Sequence, residues 1–118
     1  MKRTVEFYVQ EDGTCPAQVF LDSLTDQEAK KVAWVIKLIE DLDMVPKQYF
    51  KKLVATEDIW ECRVPVGGNA YRLFSFFFQG NTVIVTHGYG KKSQKTDARE
   101  IKRAEAYRRD FLKLHGGD

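Results

Sequence analysis

Cysteine is scarce in this chain, with only Cys15 and Cys62 in 118 residues. The two lack the spacing of a metal-binding pair and the density of a disulfide-stapled secreted domain, so both are expected to be free thiols. Long apolar runs are missing as well. No stretch approaches the roughly 20 residues that span a bilayer. Behind the basic start Met1-Lys2-Arg3, the polar residues Glu6, Gln10, Glu11 and Asp12 interrupt anything that could act as a signal-peptide core. The chain is therefore expected to be cytoplasmic, with no membrane partner. Internal repeats, linkers and low-complexity tracts are also absent, and 118 residues suit a single domain, 1–118.

What is present is ordinary for a folded protein: 43% hydrophobic and 31% charged residues, away from disordered composition. The net charge is only +2, but it is unevenly spread. Residues 1–90 hold ten Lys/Arg against twelve Asp/Glu, and residues 91–118 hold nine against five. The basic C-terminal end, with Lys91, Lys92, Lys95, Arg99, Lys102, Arg103, Arg108, Arg109 and Lys113, suits the phosphates of a nucleic acid or an acidic protein. A solvated helix face accounts for the same charges.

Thr4 to Val9 alternates as a first strand, closed by the turn Gln10-Glu11-Asp12-Gly13. Pro16 opens a short helix that runs to Leu24. Thr25 and Glu28 then have capping-box spacing, and Ala29, Val32, Ala33, Ile36, Ile39 and Leu42 or Leu38 mark the apolar stripe of a longer helix. Together these predict a helical hairpin on a sheet, with Trp34 at its margin or exposed. After Pro46 the pattern turns to strands: Lys52 to Val54, Ile59 to Val66, Ala70 to Phe78 and Thr82 to Tyr89, with glycine-bearing turns at Gly67-Gly68 and Gly80-Asn81. Asp97 and Glu100 repeat the cap spacing before a last helix, to Leu114. The expected fold is α+β: an antiparallel sheet with an N-terminal helical hairpin and a C-terminal helix.

A two-residue turn at Gly67-Gly68 sets Arg63 opposite Arg72, and like charges across a sheet need a carboxylate or an anion between them. Glu61 shares that face. A two-residue turn at Gly80-Asn81 then pairs Phe74 with His87 and Arg72 with Tyr89, whereas a three-residue loop undoes this alignment. The basic segment Gly90-Lys91-Lys92-Ser93-Gln94-Lys95 follows. Cutting RNA without a metal needs a base for the 2′-hydroxyl, cations for the charge building on phosphorus and an acid for the leaving 5′-oxygen, roles that lysine, arginine and tyrosine or histidine can fill. Each residue also has a plain reading. Arg63 and Arg72 fit ion pairs with Glu61 or Glu57, His87 a hydrogen-bonded packing role, Phe74 to Phe78 a core, and Lys51 and Lys52 edge-strand charges that discourage strand addition.

The segments Ile59-Trp60-Glu61-Cys62-Arg63, Tyr71-Arg72-Leu73-Phe74-Ser75-Phe76-Phe77 and Val85-Thr86-His87-Gly88-Tyr89-Gly90-Lys91-Lys92-Ser93-Gln94-Lys95-Thr96, followed by Arg99-Glu100-Ile101, together resemble the phage-derived HigB-like branch of the RelE/ParE toxin superfamily. The resemblance covers essentially the whole chain. It implies a RelE-like, microbial-RNase-like fold and the toxin of a type II toxin–antitoxin system. Such a toxin cuts mRNA on the ribosome without metal or cofactor and is held by a cognate antitoxin, expected to be a helix-turn-helix protein. The strand arginine of the family falls on Arg63, the arginine of its Tyr-Arg motif on Arg72, its basic loop on Lys91 and Lys92, and its strand-end aromatic on Tyr89. Lys51 or Lys52 stands where some members carry a base on an earlier strand, and His87 where others use histidine. RNA contact is expected from Lys51, Lys52, Lys92, Lys95, Arg99 and Arg103. On this reading Arg72→Ala removes toxicity and leaves the fold intact. ParE members inhibit DNA gyrase without cutting anything, which is the alternative, and a non-toxic phage-derived binding protein is a third.

Overall fold

The computed structural model describes residues 2–91 and 96–116, Lys91 by its backbone alone. In chain order the elements are β1 (Thr4–Phe7), α1 (Pro16–Asp22), α2 (Asp26–Asp41), β2 (Phe50–Lys52), β3 (Trp60–Val66), β4 (Asn69–Phe78), β5 (Thr82–Lys91) and α3 (Ala98–Leu114). The strands form one five-stranded sheet in the order β1-β5-β4-β3-β2.

The sheet is mixed, which corrects the expected antiparallel one. β2 to β5 run antiparallel to their neighbours, but β1 lies parallel to β5, with Thr4 beside Thr82 and Phe7 beside Val85. Alternation of apolar residues says which face a strand buries and nothing of its direction. Only a tight hairpin forces antiparallel pairing, and five elements separate β1 from β5.

Helix starts follow local chemistry. Pro16 occupies the first turn of α1, where its missing N–H costs no hydrogen bond. At α2 the capping box is complete: Glu28 N–H donates to Thr25 Oγ1 at 3.2 Å and Thr25 N–H to Glu28 Oε1 at 2.9 Å. The α2 stripe is rotated from expectation, burying Val32, Val35 and Ile39 and leaving Ala33 and Leu42 exposed. At α3 no box forms. Asp97 caps the Arg99 N–H at 2.9 Å, while Glu100 turns to the sheet and meets His87.

Residues of α1 and α2 share one apolar cluster with Cys62, Val64, Leu73, Val83 and Val85, while α3 packs on the other face against Phe74, Phe76 and Ile84. The phenylalanine run of β4 is core on both sides: Phe77 joins the first cluster and Phe78 packs on Phe111.

The first hairpin turns through Gly67-Gly68, Gly67 at φ +58°, as the spacing predicts. The second differs. Phe78 pairs with Thr82, so the loop is the three residues Gln79, Gly80 and Asn81. Phe74 still faces His87 and Arg72 still faces Tyr89, because β5 bulges at Thr86 between the Phe74 and Ser75 pairings. The extra residue restores the parity that the longer loop removes.

Gly88 lies where α1 crosses β5, and a Cβ there would sit 2.5 Å from the Phe20 ring. Gly88→Ala is therefore expected to cost about 1–3 kcal/mol by overpacking in denaturant melts. Adding Phe20→Ala removes the obstruction, so the double mutant should lose less than the sum of the two single changes.

Candidate functional site

Strand register places two rows of residues side by side on the α3 face of the sheet. Lys51, Glu61, Phe74 and His87 lie opposite one another across β2 to β5, and Arg63, Arg72 and Tyr89 form the next row. The facing arginines are real, and Glu61 answers them. Its Oε2 lies 3.0 Å from Arg72 Nε, with side chains 1% and 0% exposed. The approach is too bent for a well-formed hydrogen bond, so this is a charge contact first. The same oxygen accepts a hydrogen bond from Thr96 Oγ1 at 2.8 Å, which ties the chain just before α3 to the sheet.

Arg63, one row position away on β3, is partly open to solvent, and Lys51 on the edge strand is exposed. Lys52 is also exposed and pairs with Asp58 at 3.6 Å. Its register partner is Trp60, one step out of the Lys51 row. The backbone of Lys91 lies opposite Ala70 at the end of β5. Lys92 and Lys95 lie outside the described residues. Arg99 is 90% exposed and pairs with Asp97 at 3.4 Å. Arg103 donates to Tyr107 Oη at 3.0 Å and stands 3.7 Å from Glu100. Both arginines sit on α3, and Asp97, the partner of Arg99, is also the residue whose N–H meets the Tyr89 hydroxyl.

Tyr89 packs its ring on Phe74, and its hydroxyl oxygen accepts the Asp97 N–H at 3.0 Å. Burial raises its pKa, so the phenol keeps its proton at neutral pH. It is chemically suited to donate, with one lone pair already used. His87 is 2% exposed. Its Nδ1 lies 3.1 Å from Thr86 Oγ1 and its Nε2 lies 3.0 Å from Glu100 Oε1. Both ring nitrogens are thereby engaged, and Tyr107 closes over the ring at 5.5 Å. This is the geometry of a histidine that fastens a helix to a strand.

Thr86, Thr96 and Glu100 have structural parts that sequence reasoning missed. The Asp97–Glu100 spacing pointed to a cap and hid the carboxylate's partner. Cys62 is a free, buried thiol pushed up to about 12 by burial, and Cys15 is also free. Among the described residues no group of His, Cys, Asp and Glu is placed to hold a metal ion, and no helix is long and apolar enough to cross a membrane.

A mixed sheet covered by helices on both faces, with Arg63 partly open and Lys51 exposed on the face that packs α3, defines a small α+β protein. The chain belongs to the Gp49-like family of phage-derived proteins (DUF891), whose model matches residues 19–109. That family is grouped with the RelE/ParE-like toxins, which is consistent with a toxin of a toxin–antitoxin pair. A search of the curated proteins finds no match.

Two outcomes follow from the buried groups. Desolvation outweighs the Glu100 contact and lowers the His87 pKa below 6.5. The unfolded chain takes up that proton near pH 6.5 while the folded chain resists it, so this contribution to stability is full above pH 6.5 and declines as pH falls below it. Thermal melts between pH 5 and 8 should show the decline, and His87→Gln should flatten it. Arg72→Ala leaves Glu61 buried with only the Thr96 hydroxyl among the described residues, at a cost of about 3–5 kcal/mol. Such a loss corrects the expectation of an intact fold. The paired change Glu61→Leu with Arg72→Met should recover most of the stability in the same melts.

Proposed function

We propose that this chain is the toxin of a type II toxin–antitoxin system, with a RelE-like fold, and that it cuts mRNA on the ribosome. The supporting observation is the row Arg63–Arg72–Tyr89, with Lys51 on the adjoining row, at the part of the sheet face next to the start of α3. Arg63, the more open arginine, holds the scissile phosphate. Arg72, locked to Glu61, adds fixed positive charge behind it and keeps Tyr89 in place. Preorganised cations of this kind favour the transition state because they need no reorientation as charge builds on phosphorus.

In the proposed step a lysine, either Lys51 on this face or one of Lys91 and Lys92, which follow Tyr89 in the sequence, takes the proton of a 2′-hydroxyl. The resulting oxyanion attacks the adjacent phosphorus, the P–O5′ bond breaks, and the Tyr89 hydroxyl protonates the leaving 5′-oxygen. The products are a 2′,3′-cyclic phosphate and a 5′-hydroxyl end. The raised pKa of Tyr89 supports the acid role over the base role. The buried His87, with both nitrogens engaged, serves as support for α3 and not as the proton relay. A helix-turn-helix antitoxin from a neighbouring gene is the proposed partner.

The test is induction of the chain in a bacterial host beside Arg63→Ala, with mRNA 5′ ends mapped genome-wide. Arg63 is partly exposed, so its loss should spare the fold while reducing cleavage by about 10²–10³. New ends inside translated codons that vanish in the mutant support the reading. Growth arrest with DNA breaks and no new ends would replace it with gyrase inhibition, and no arrest with a non-toxic binding protein.

A further inference from the structure

Among the described residues, the most exposed aromatic side chain on the face covered by α1 and α2 is Trp34, 53% open on α2. It stands edge-on to Tyr49 at 5.6 Å and 90°. Together they wall a groove of about 480 Å³ whose floor includes Val35 and Val64 and whose rim carries Lys30, Lys31 and Pro65. Lys30 and Lys31 stand four and three residues before Trp34 on α2, so each neighbours it on one flank of the helix. Neither ammonium has a hydrogen bond or ion pair among the described residues. The neighbouring carboxylate, Glu28, is already committed, accepting from Thr25 N–H and Tyr71 Oη.

Three features decide what fits. The floor is apolar, and an exposed tryptophan beside it is the residue type that most often anchors a protein interface. Two rings at right angles form a corner, whereas single-stranded RNA favours a flat platform and a cationic stripe along its backbone. The groove opens where β2 has ended, since β2 pairs only with Trp60 to Cys62 of β3. That uncovered stretch of β3 holds Pro65, which has no N–H and blocks an added strand.

We propose that this groove is the docking site for an acidic amphipathic helix of a partner protein. The partner's apolar side chains at helical spacing fill the Trp34–Tyr49 corner, and its carboxylates pair with Lys30 and Lys31. Val64 and Arg63 alternate on β3, so the groove and the cationic row lie on opposite faces of the sheet. A helix seated here leaves the Arg63 face uncovered. The proposal does not depend on what that face does.

The experiment selects a displayed library of amphipathic helical peptides, with charged positions drawn evenly from Glu and Lys, against the full chain. Enriched peptides are then measured on the full chain and on Trp34→Ala and Lys30→Glu/Lys31→Glu. Expected are Glu-rich peptides that lose at least about tenfold in affinity on each variant, while their Lys-substituted versions gain on the charge-reversed chain. Both variants change exposed side chains, and unchanged circular dichroism melts check their folds. Lys-rich or neutral winners, binding indifferent to Trp34→Ala, or no enrichment at all would overturn the proposal. So would a uridine-rich ten-nucleotide RNA whose binding depends on Trp34 and competes with the peptides.

Discussion

An arginine and a glutamate that leave water together constrain everything around them, and in this protein they sit near the middle of the sheet. Arg72 and Glu61 are each almost wholly buried, on adjacent strands and one row apart. Desolvating either alone is costly, so the two strands must bring both to the same place. A one-residue slip of β4 would turn Arg72 into the apolar cluster around Leu73, Cys62 and Val64. The pair therefore acts as a register key. It fixes β3 against β4, Thr96 against Glu61, and through them the point from which α3 starts.

The last hairpin shows how register can survive an altered turn. The three-residue loop Gln79–Asn81 shifts every later pairing by one, and the bulge at Thr86 shifts it back. Val83 and Val85 therefore face α1 and α2, while Ile84, His87 and Tyr89 face α3. Without the bulge, β5 would present either His87 or Ile84 to α3, but not both. The Thr86 side chain uses its position well, donating to Phe74 O at 3.2 Å and lying 3.1 Å from His87 Nδ1. His87 in turn holds Glu100 in the first turn of α3. A kink in one strand thus becomes the seat of a helix.

Much of this was readable beforehand because the signals were local. Pro16, the Thr25–Glu28 box and the Gly67-Gly68 turn each have one low-energy conformation, and the structure adopts it. The Arg63–Arg72 pairing followed from that turn alone. The Arg72–Tyr89 pairing was reached through a loop that does not exist, since two offsets of one residue cancel. No residue type marks Thr86 as a bulge in advance. The parallel course of β1, the rotation of α2 that buries Val35, and the turning of Glu100 from cap to His87 are likewise decided by tertiary contact. Burial of Arg72 was the most consequential of these, because sequence shows that two cations face each other and not which of them water reaches.

That difference redistributes chemical roles across the face. A guanidinium locked in a buried pair cannot swing out to meet a phosphate without leaving Glu61 in an apolar surround, so in the proposed mechanism contact falls to Arg63 and the charge of Arg72 acts at second hand. The same packing raises the Tyr89 pKa, and the Asp97 N–H bound to its oxygen leaves its proton free to point elsewhere. Tyr89 therefore holds the approach to α3 through Asp97, and in the proposed mechanism it is also the acid beside the arginine row. Tyr89 packs in one cluster with Ile101 and Ala104 of α3, and Tyr107 of the same helix lies against His87. The two ties at Thr96 and Asp97 hold the start of α3 on the sheet, so the carboxylate that answers Arg72 also sets where the last helix begins.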